Sequence, residues 1–411
     1  MSRTGRLAVV AALLAVAAST RSPLTSVPPL VGDLDRALGL SSVAVGLLTA
    51  LPVLCMGALA PVATLLAVRL GLDRAMTVGA VAIAVGTAVR PWGGVPLLYG
   101  GTFVAGAGIA VVGALLPGAV KRHFPRRPGA MTGAYMAAMM TTATLAAALA
   151  VPVSGAAGWR VSLGVWALPA AVGAVWWVLR VRGTARPAAA AVAEAGPVGA
   201  GAGGPVGAPV GGSARLPWRS PTAWLVTAYL TTSSVMFYSL LAWVAPSYVD
   251  RGWSDGAAGL LLAGFSAAQL GAALLVPLAV DRVRDRRGLY AAAGVVNVLG
   301  LVALVVAPEW SPWAVVLLLG FGNGAAFTLG LTQLVEHAAT SHDSARLAGM
   351  AFLVSYLVAA LGPTGVGALH DAAGSWTPPF VLLAVVAVAQ AATAAGLGPA
   401  RRVGAEGVER G

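Results

Sequence analysis

Twelve long apolar stretches separated by short polar clusters run the length of this chain, and none alternates apolar and polar residues with period 2. They cover residues 7–31, 43–68, 75–89, 95–120, 130–153, 161–179, 222–245, 257–280, 288–307, 313–335, 347–369 and 379–397. About 20 apolar residues wound as a helix cross ~30 Å of hydrocarbon, so each stretch predicts a membrane-spanning helix. The missing alternation argues against a β-barrel. Arg3 and Arg6 ahead of the first stretch imitate a secretory signal, but apolar, Pro-rich sequence continues to Val31, so an uncleaved first span is expected.

Composition agrees with a polytopic membrane protein. Of 411 residues, 58% are apolar and 10% charged, against about 25% charged in a soluble domain. The one cysteine, Cys55, falls inside span 2, so no disulfide framework or thiolate metal cluster can be built, and helix packing is its expected role. No cofactor is expected. The net charge of +12 would suggest nucleic acid in a soluble protein, but here the basic residues stand in short loops. With the N-terminus placed inside the cell, inner segments hold 21 Lys/Arg and outer loops hold four, Arg36, Arg90, Arg160 and Arg251. That asymmetry predicts both termini in the cytoplasm and the chain in the cytoplasmic membrane of a bacterium. The partners expected are lipid and a small-molecule substrate, without nucleic acid; a monomer is expected.

Between residues 187 and 212 every residue except Glu194 is Ala, Gly, Pro or Val, which predicts a flexible linker. Its Gly199-x-Gly201-x-x-Gly204 has no strand before it and no helix after it, so it is not a dinucleotide fingerprint. The organisation expected is a six-helix bundle over 1–180, a cytoplasmic linker over 181–219, a second six-helix bundle over 220–398 and a cytoplasmic tail over 399–411.

The two halves repeat. Gly39-Leu-Ser41 followed by Gly46-Leu-Leu opens span 2, and Gly252-Trp-Ser254 followed by Gly259-Leu-Leu opens span 8, 213 residues later. Gly106-Ala-Gly108 in span 4 returns as Gly322-Asn-Gly324 in span 10, and Gly158-Trp159 returns as Gly374-Ser-Trp376. Six-plus-six parallel repeats resemble the plan of major facilitator transporters, which place substrate near the midplane between the halves. The segment Asp281-Arg282-Val-Arg-Asp-Arg-Arg287 resembles that superfamily's Asp- and Arg-rich loop. Arg69-Leu-Gly-Leu-Asp-Arg74 is a degenerate copy without the leading Asp, and the resemblance implies that Arg69, Arg74, Asp281 and Arg282 belong to loops that gate the conformational change.

More specific motifs follow in order: Thr20-Arg21-Ser22-Pro23, Leu116-Pro-Gly-Ala-Val-Lys121, Met131-Thr-Gly-Ala-Tyr135, Trp166-Ala-Leu-Pro169, Phe237-Tyr-Ser-Leu-Leu-Ala-Trp243 and Ala360-Leu-Gly-Pro363. Together they resemble the cyanate permease and 2-nitroimidazole transporter family across nearly the whole chain. That family often carries Asn-Leu-Arg-Pro around its first-span arginine. Here the sequence is Ser19-Thr20-Arg21-Ser22-Pro23, so the polar surroundings of the arginine differ.

Arg21 is the only charged residue within the twelve stretches. A guanidinium in hydrocarbon costs roughly 2.5 kcal/mol or more, so it must face a wet cavity or a partner, and it marks a functional site by default. No acidic residue lies in the spans to neutralise it; an anionic or polarised ligand gripped through two parallel hydrogen bonds is one reading. Hydrogen bonding to carbonyls freed by Pro23 is the other. Thr25 belongs to the polar patch around it, and the 213-residue offset sets Arg21 opposite Ser234. Tyr135, Tyr238, Tyr356 and Asn323 complete the candidate substrate site, each with packing as its alternative. Trp243 reads as an interfacial anchor. His337 and His370 read as solvated helix ends, Met139 and Met140 as packing, and Gln269 and Ser266 as weaker candidates. Pro52, Pro117, Pro152 and Pro363 are expected to break spans locally.

These features predict an all-α transporter moving a small anionic or polar neutral organic molecule (cyanate-, nitroimidazole- or carboxylate-like) by alternating access. Proton coupling is left open. The alternative is a drug or metabolite exporter of broad specificity. A receptor is a further class. An embedded enzyme is disfavoured, since Gly-x-Ser-x-Gly, His-Glu-x-x-His and paired carboxylates within spans are all lacking.

Overall fold

The computed structural model describes residues 3–124, 128–181, 216–280, 282–283, 285–398 and 403. Asp281 and most of the expected linker, 182–215, lie outside the described residues. The spans are Leu7–Leu38, the bent pair Ser42–Ala58 and Ala60–Leu70, then Leu72–Val89, Gly94–Val120, Ala130–Ala157 and Trp159–Leu179. After the linker come Pro221–Val249, Asp255–Val280, Arg287–Val306, Pro312–Glu336, Arg346–Ala373 and Thr377–Gly396. Numbered in order, they are the twelve spans expected from hydropathy.

Both copies of the repeat make the same turn. Gly39 (φ +63°) and Gly252 (φ +90°) hold left-handed backbone that an L side chain resists. Two residues on, Ser41 and Ser254 accept at Oγ from the amides of Ala44 and Ala257, each at 3.3 Å, which caps the span that follows. In spans 4 and 10 the repeated glycine pairs lie against spans 2 and 3 and against spans 9 and 8 respectively. Small residues permit such approach where lipid supplies no hydrophobic drive between helices.

The expected breaks are only partly where they occur. Pro52, Pro117 and Pro152 sit inside continuous helices, Ser42–Ala58, Gly94–His123 and Pro128–Ala157. Span 2 instead bends by 54° near Leu59, just ahead of Pro61. Span 11 does break, with helices ending at Ala359 and restarting at Leu361, because Pro363 offers no amide to the turn before it. Span 1 runs past Val31 to Leu38 and is itself interrupted, so Arg36 belongs to a helix rather than a loop.

The two sets of six spans meet along spans 2 and 11 and along spans 5 and 8. At the end remote from the linker the seam is tight: a Cβ on Gly46 would lie 2.7 Å from the Pro363 carbonyl oxygen of the other half. Trp243 helps to shape this seam. It is 1% exposed and donates from Nε1 to that same carbonyl at 2.7 Å, so it is a buried lock between spans 7 and 11 and not an interfacial anchor. His337, expected in solvent, is also buried.

Candidate functional site

The site begins with the interruption in span 1. The helix Arg3–Ala18 ends three residues before Arg21, which caps the one-turn helix Ser22–Thr25. Hydroxyls close the gap. Ser19 and Thr20 each donate at 2.7 Å to carbonyls of the preceding turn, those of Val16 and Ala17, while Thr25 donates to the Arg21 carbonyl at 3.3 Å. The hydroxyls around Arg21 are therefore turned onto the backbone of the break, and Ser19 serves the Val16 carbonyl there.

Arg21 projects into a cavity of about 130 Å³ between the halves. Its lining follows helical spacing: Gly133, Met136, Ala137 and Met140 on span 5, Gln269 and Ala273 on span 8, and Asn323 and Phe327 on span 10. Among the described residues lining it, Arg21 alone is charged. The guanidinium carbon stands 4.8 Å from the centroid of the Phe237 ring across the seam, a cation–π geometry. Arg21 is 7% exposed, and its Nη1 has no hydrogen-bond partner among the described residues.

Of the residues singled out from sequence, Arg21, Ser234, Tyr238, Asn323 and Tyr356 line this cavity; Thr25 and Tyr135 are buried away from it. Asn323 is already engaged, donating to the Ser233 carbonyl at 3.1 Å and accepting from Gln269 Nε2 at 3.3 Å. Tyr238 donates to Met56 Sδ at 3.8 Å, whereas the buried Tyr356 hydroxyl has no partner among the described residues. Phe237 and Met140 line the wall although sequence reading gave neither a ligand role. The recoverable signal was the i, i+3, i+4, i+7 recurrence on span 5.

Arg69, Arg74 and Arg282, expected in gating loops, lie at the linker-side end. Arg69 and Arg74 are exposed, and Arg282 donates to the Leu278 carbonyl of its own span at 2.9 Å. The side chains that tie loops to spans there are others. Asp73 pairs with His123 at 2.9 Å and Arg122 at 3.5 Å, and Glu336 pairs with Arg286 and accepts from Tyr290 at 2.7 Å. A second cavity of about 240 Å³, lined by Asp35, Asp250, Asp255 and His370, lies at the far end.

The family model for the Major Facilitator Superfamily matches residues 7–363 and 234–409. The chain belongs to the major facilitator superfamily. It is 33% identical over 393 residues to the 2-nitroimidazole transporter of Escherichia coli (strain K12), covering 95% of each chain. It is 30% identical over 372 residues to the cyanate transport protein CynX of the same organism, covering 89% of this chain and 90% of that one. A solved structure of a bacterial homolog of the human lysosomal transporter Spinster superposes with a TM-score of 0.75 at 14% identity, covering 97% of this chain and 98% of that one. This major facilitator protein is accordingly a multi-pass membrane transporter of small molecules and not an enzyme.

Proposed function

We propose that this transporter carries a small planar anion or strongly polar neutral molecule, with Arg21 as its clamp. One observation carries this reading: among the described residues, a buried guanidinium whose Nη1 has no partner is the sole charge lining a cavity shared by both halves. Leaving such a group unmatched is costly, and a bidentate acceptor relieves that cost. Size supports a compact ligand, since an apolar cavity of about 150 Å³ holds a single benzene ring. The substrates in the names of the two relatives, a nitroimidazole and cyanate, are of this size and polarity. Phe237, Tyr238 and Tyr356 supply aromatic walls and a free hydroxyl, and Ser234 a polar edge. Asn323 contributes by shaping the wall.

The same reading places the linker and both termini in the cytoplasm of a bacterium and the chain, as a monomer, in its inner membrane. The linker then supplies length between two rigid six-helix bodies. With spans 2 and 11 in close contact at the far end, the cavity is reached from the linker side on this reading, and rocking of the halves about the midplane would expose it alternately.

The test is binding of 2-nitroimidazole, cyanate and benzoate to purified wild type, Arg21→Lys and Arg21→Ala, with thermal unfolding measured in parallel. Arg21→Lys keeps the charge but loses the planar fork, so an affinity loss of roughly tenfold is expected, and Arg21→Ala should lose nearly all binding. Removing the buried charge should leave the melting temperature unchanged or raised. An Arg21→Ala protein that binds normally but melts early makes Arg21 a structural strut.

A further inference from the structure

Arg90 was expected in an outer loop. It instead follows the last residue of the span 3 helix Leu72–Val89, is 1% exposed, and turns its side chain inward. Nη1 donates to the Pro23 carbonyl at 3.0 Å. Nη2 donates to Ser26 Oγ at 3.3 Å and to the Leu163 carbonyl of span 6 at 3.5 Å. None of these partners is acidic. A buried guanidinium held only by neutral acceptors is costly, so its contacts must serve something that a Leu in its place would not.

The contacts fall on one short piece of chain. In an uninterrupted helix the Val27 amide would bond the Pro23 carbonyl. Here it bonds Leu24 instead, at 3.4 Å, which leaves the Pro23 oxygen for Arg90. Pro23 lies within the one-turn helix that follows Arg21, and Ser26 is its C-cap. With no continuous backbone ladder to the helix Arg3–Ala18, the orientation of that turn depends on side-chain contacts. Span 4 leaves the room for them, since a Cβ on Gly101 would lie 2.6 Å from the Cβ of Arg90.

We propose that Arg90 is the positioning residue for Arg21, tying the Ser22–Thr25 turn to spans 3 and 6 so that the Arg21 guanidinium points into the cavity. This rests on the reading of Arg21 as the substrate clamp. The role needs both a charge-assisted bond to the freed carbonyl and a fork wide enough to reach two segments, which only arginine offers.

The test uses a reporter that requires no ligand. In full-length protein carrying Cys55→Ser, Ser234→Cys places a thiol on the cavity wall where a correctly aimed Arg21 favours the reactive thiolate. Alkylation by iodoacetamide at pH 7 is compared with that of Thr328→Cys, which lines the same cavity from span 10 and controls for access. Arg21→Ala should slow the Ser234→Cys reaction about tenfold, the effect of losing one nearby opposite charge, and leave Thr328→Cys unchanged. Arg90→Met should slow it as much, and combining it with Arg21→Ala should slow it no further. An unchanged rate in Arg90→Met, equal slowing at both thiols, or slowing that adds to that of Arg21→Ala overturns the proposal. If Arg90→Met does not fold, Arg90→Lys decides in its place, with a wild-type rate again the refuting result. Binding of 2-nitroimidazole, cyanate and benzoate to Arg21→Ala separates the two ideas: normal binding there removes the clamp reading whatever the alkylation shows.

Discussion

Tyr356 is fully buried, stacks on Phe352 at 5.7 Å, and has a hydroxyl without a partner among the described residues. An unsatisfied buried hydroxyl costs about 1–3 kcal/mol. Tyr356→Phe should therefore raise the melting temperature of the empty transporter by a few degrees. If substrate accepts from that hydroxyl, the same change should weaken binding several-fold, and calorimetry alongside a melting curve reads both. A Phe variant that melts lower would mean that the hydroxyl already has a partner. Hydroxyls are where residue-level sequence reading was least secure. Ser19, Thr20, Ser22 and Thr25 looked like a ligand-facing patch, and the fold commits them to carbonyls of a broken helix. Their polarity was legible, but the direction of a hydroxyl depends on backbone geometry that composition does not encode.

At the scale of the element, spans 2 and 11 form the seam at the far end, and Gly46 is one of its closest approaches. Gly46→Leu would drive a side chain into the Pro363 carbonyl. Overpacking of this kind costs about 1–3 kcal/mol, roughly a tenfold loss of the far-end-closed population. Cross-linking efficiency between cysteines placed on spans 2 and 11 should fall accordingly, while membrane insertion is unaffected. Cross-linking at the wild-type level would show that the seam does not control closure. Proline positions were visible in the sequence, yet they did not say which helices break. Pro52, Pro117 and Pro152 continue their helices, whereas at Pro363 the helix stops at Ala359 and restarts at Leu361, and Trp243 donates to the Pro363 carbonyl.

For the whole molecule, the charge asymmetry makes a topological prediction. In a Cys55→Ser background, Ala200→Cys should resist a membrane-impermeant maleimide in intact cells and react once the membrane is opened. Reaction in intact cells reverses the orientation. A second expectation concerns coupling. Exchange of protons for a cationic drug calls for a carboxylate at membrane depth, and among the described residues lining the central cavity the only charge is positive. Proteoliposomes with an acidic lumen should not accumulate ethidium; accumulation abolished by a protonophore would count against an anionic or neutral substrate.

Hydropathy by itself determined the number of spans, because ~30 Å of hydrocarbon demands a fixed length of apolar helix whatever that helix packs against. The repeat was equally local: the Gly39–Ser41 and Gly252–Ser254 turns each need one left-handed glycine and one capping serine, both readable from adjacent residues. The single charge of the stretch 7–31 was also legible, since nothing else in the twelve apolar stretches could share its cost. The tertiary structure decided what that charge faces. Phe237, Met140 and Tyr356 reach Arg21 from elements more than a hundred residues away. Arg90, counted by sequence as a loop charge, became a buried strap because span 3 ends beside the break in span 1. Contacts between distant segments depend on how helices pack, and helix packing in lipid is set by shape and hydrogen bonds that no single stretch of sequence contains.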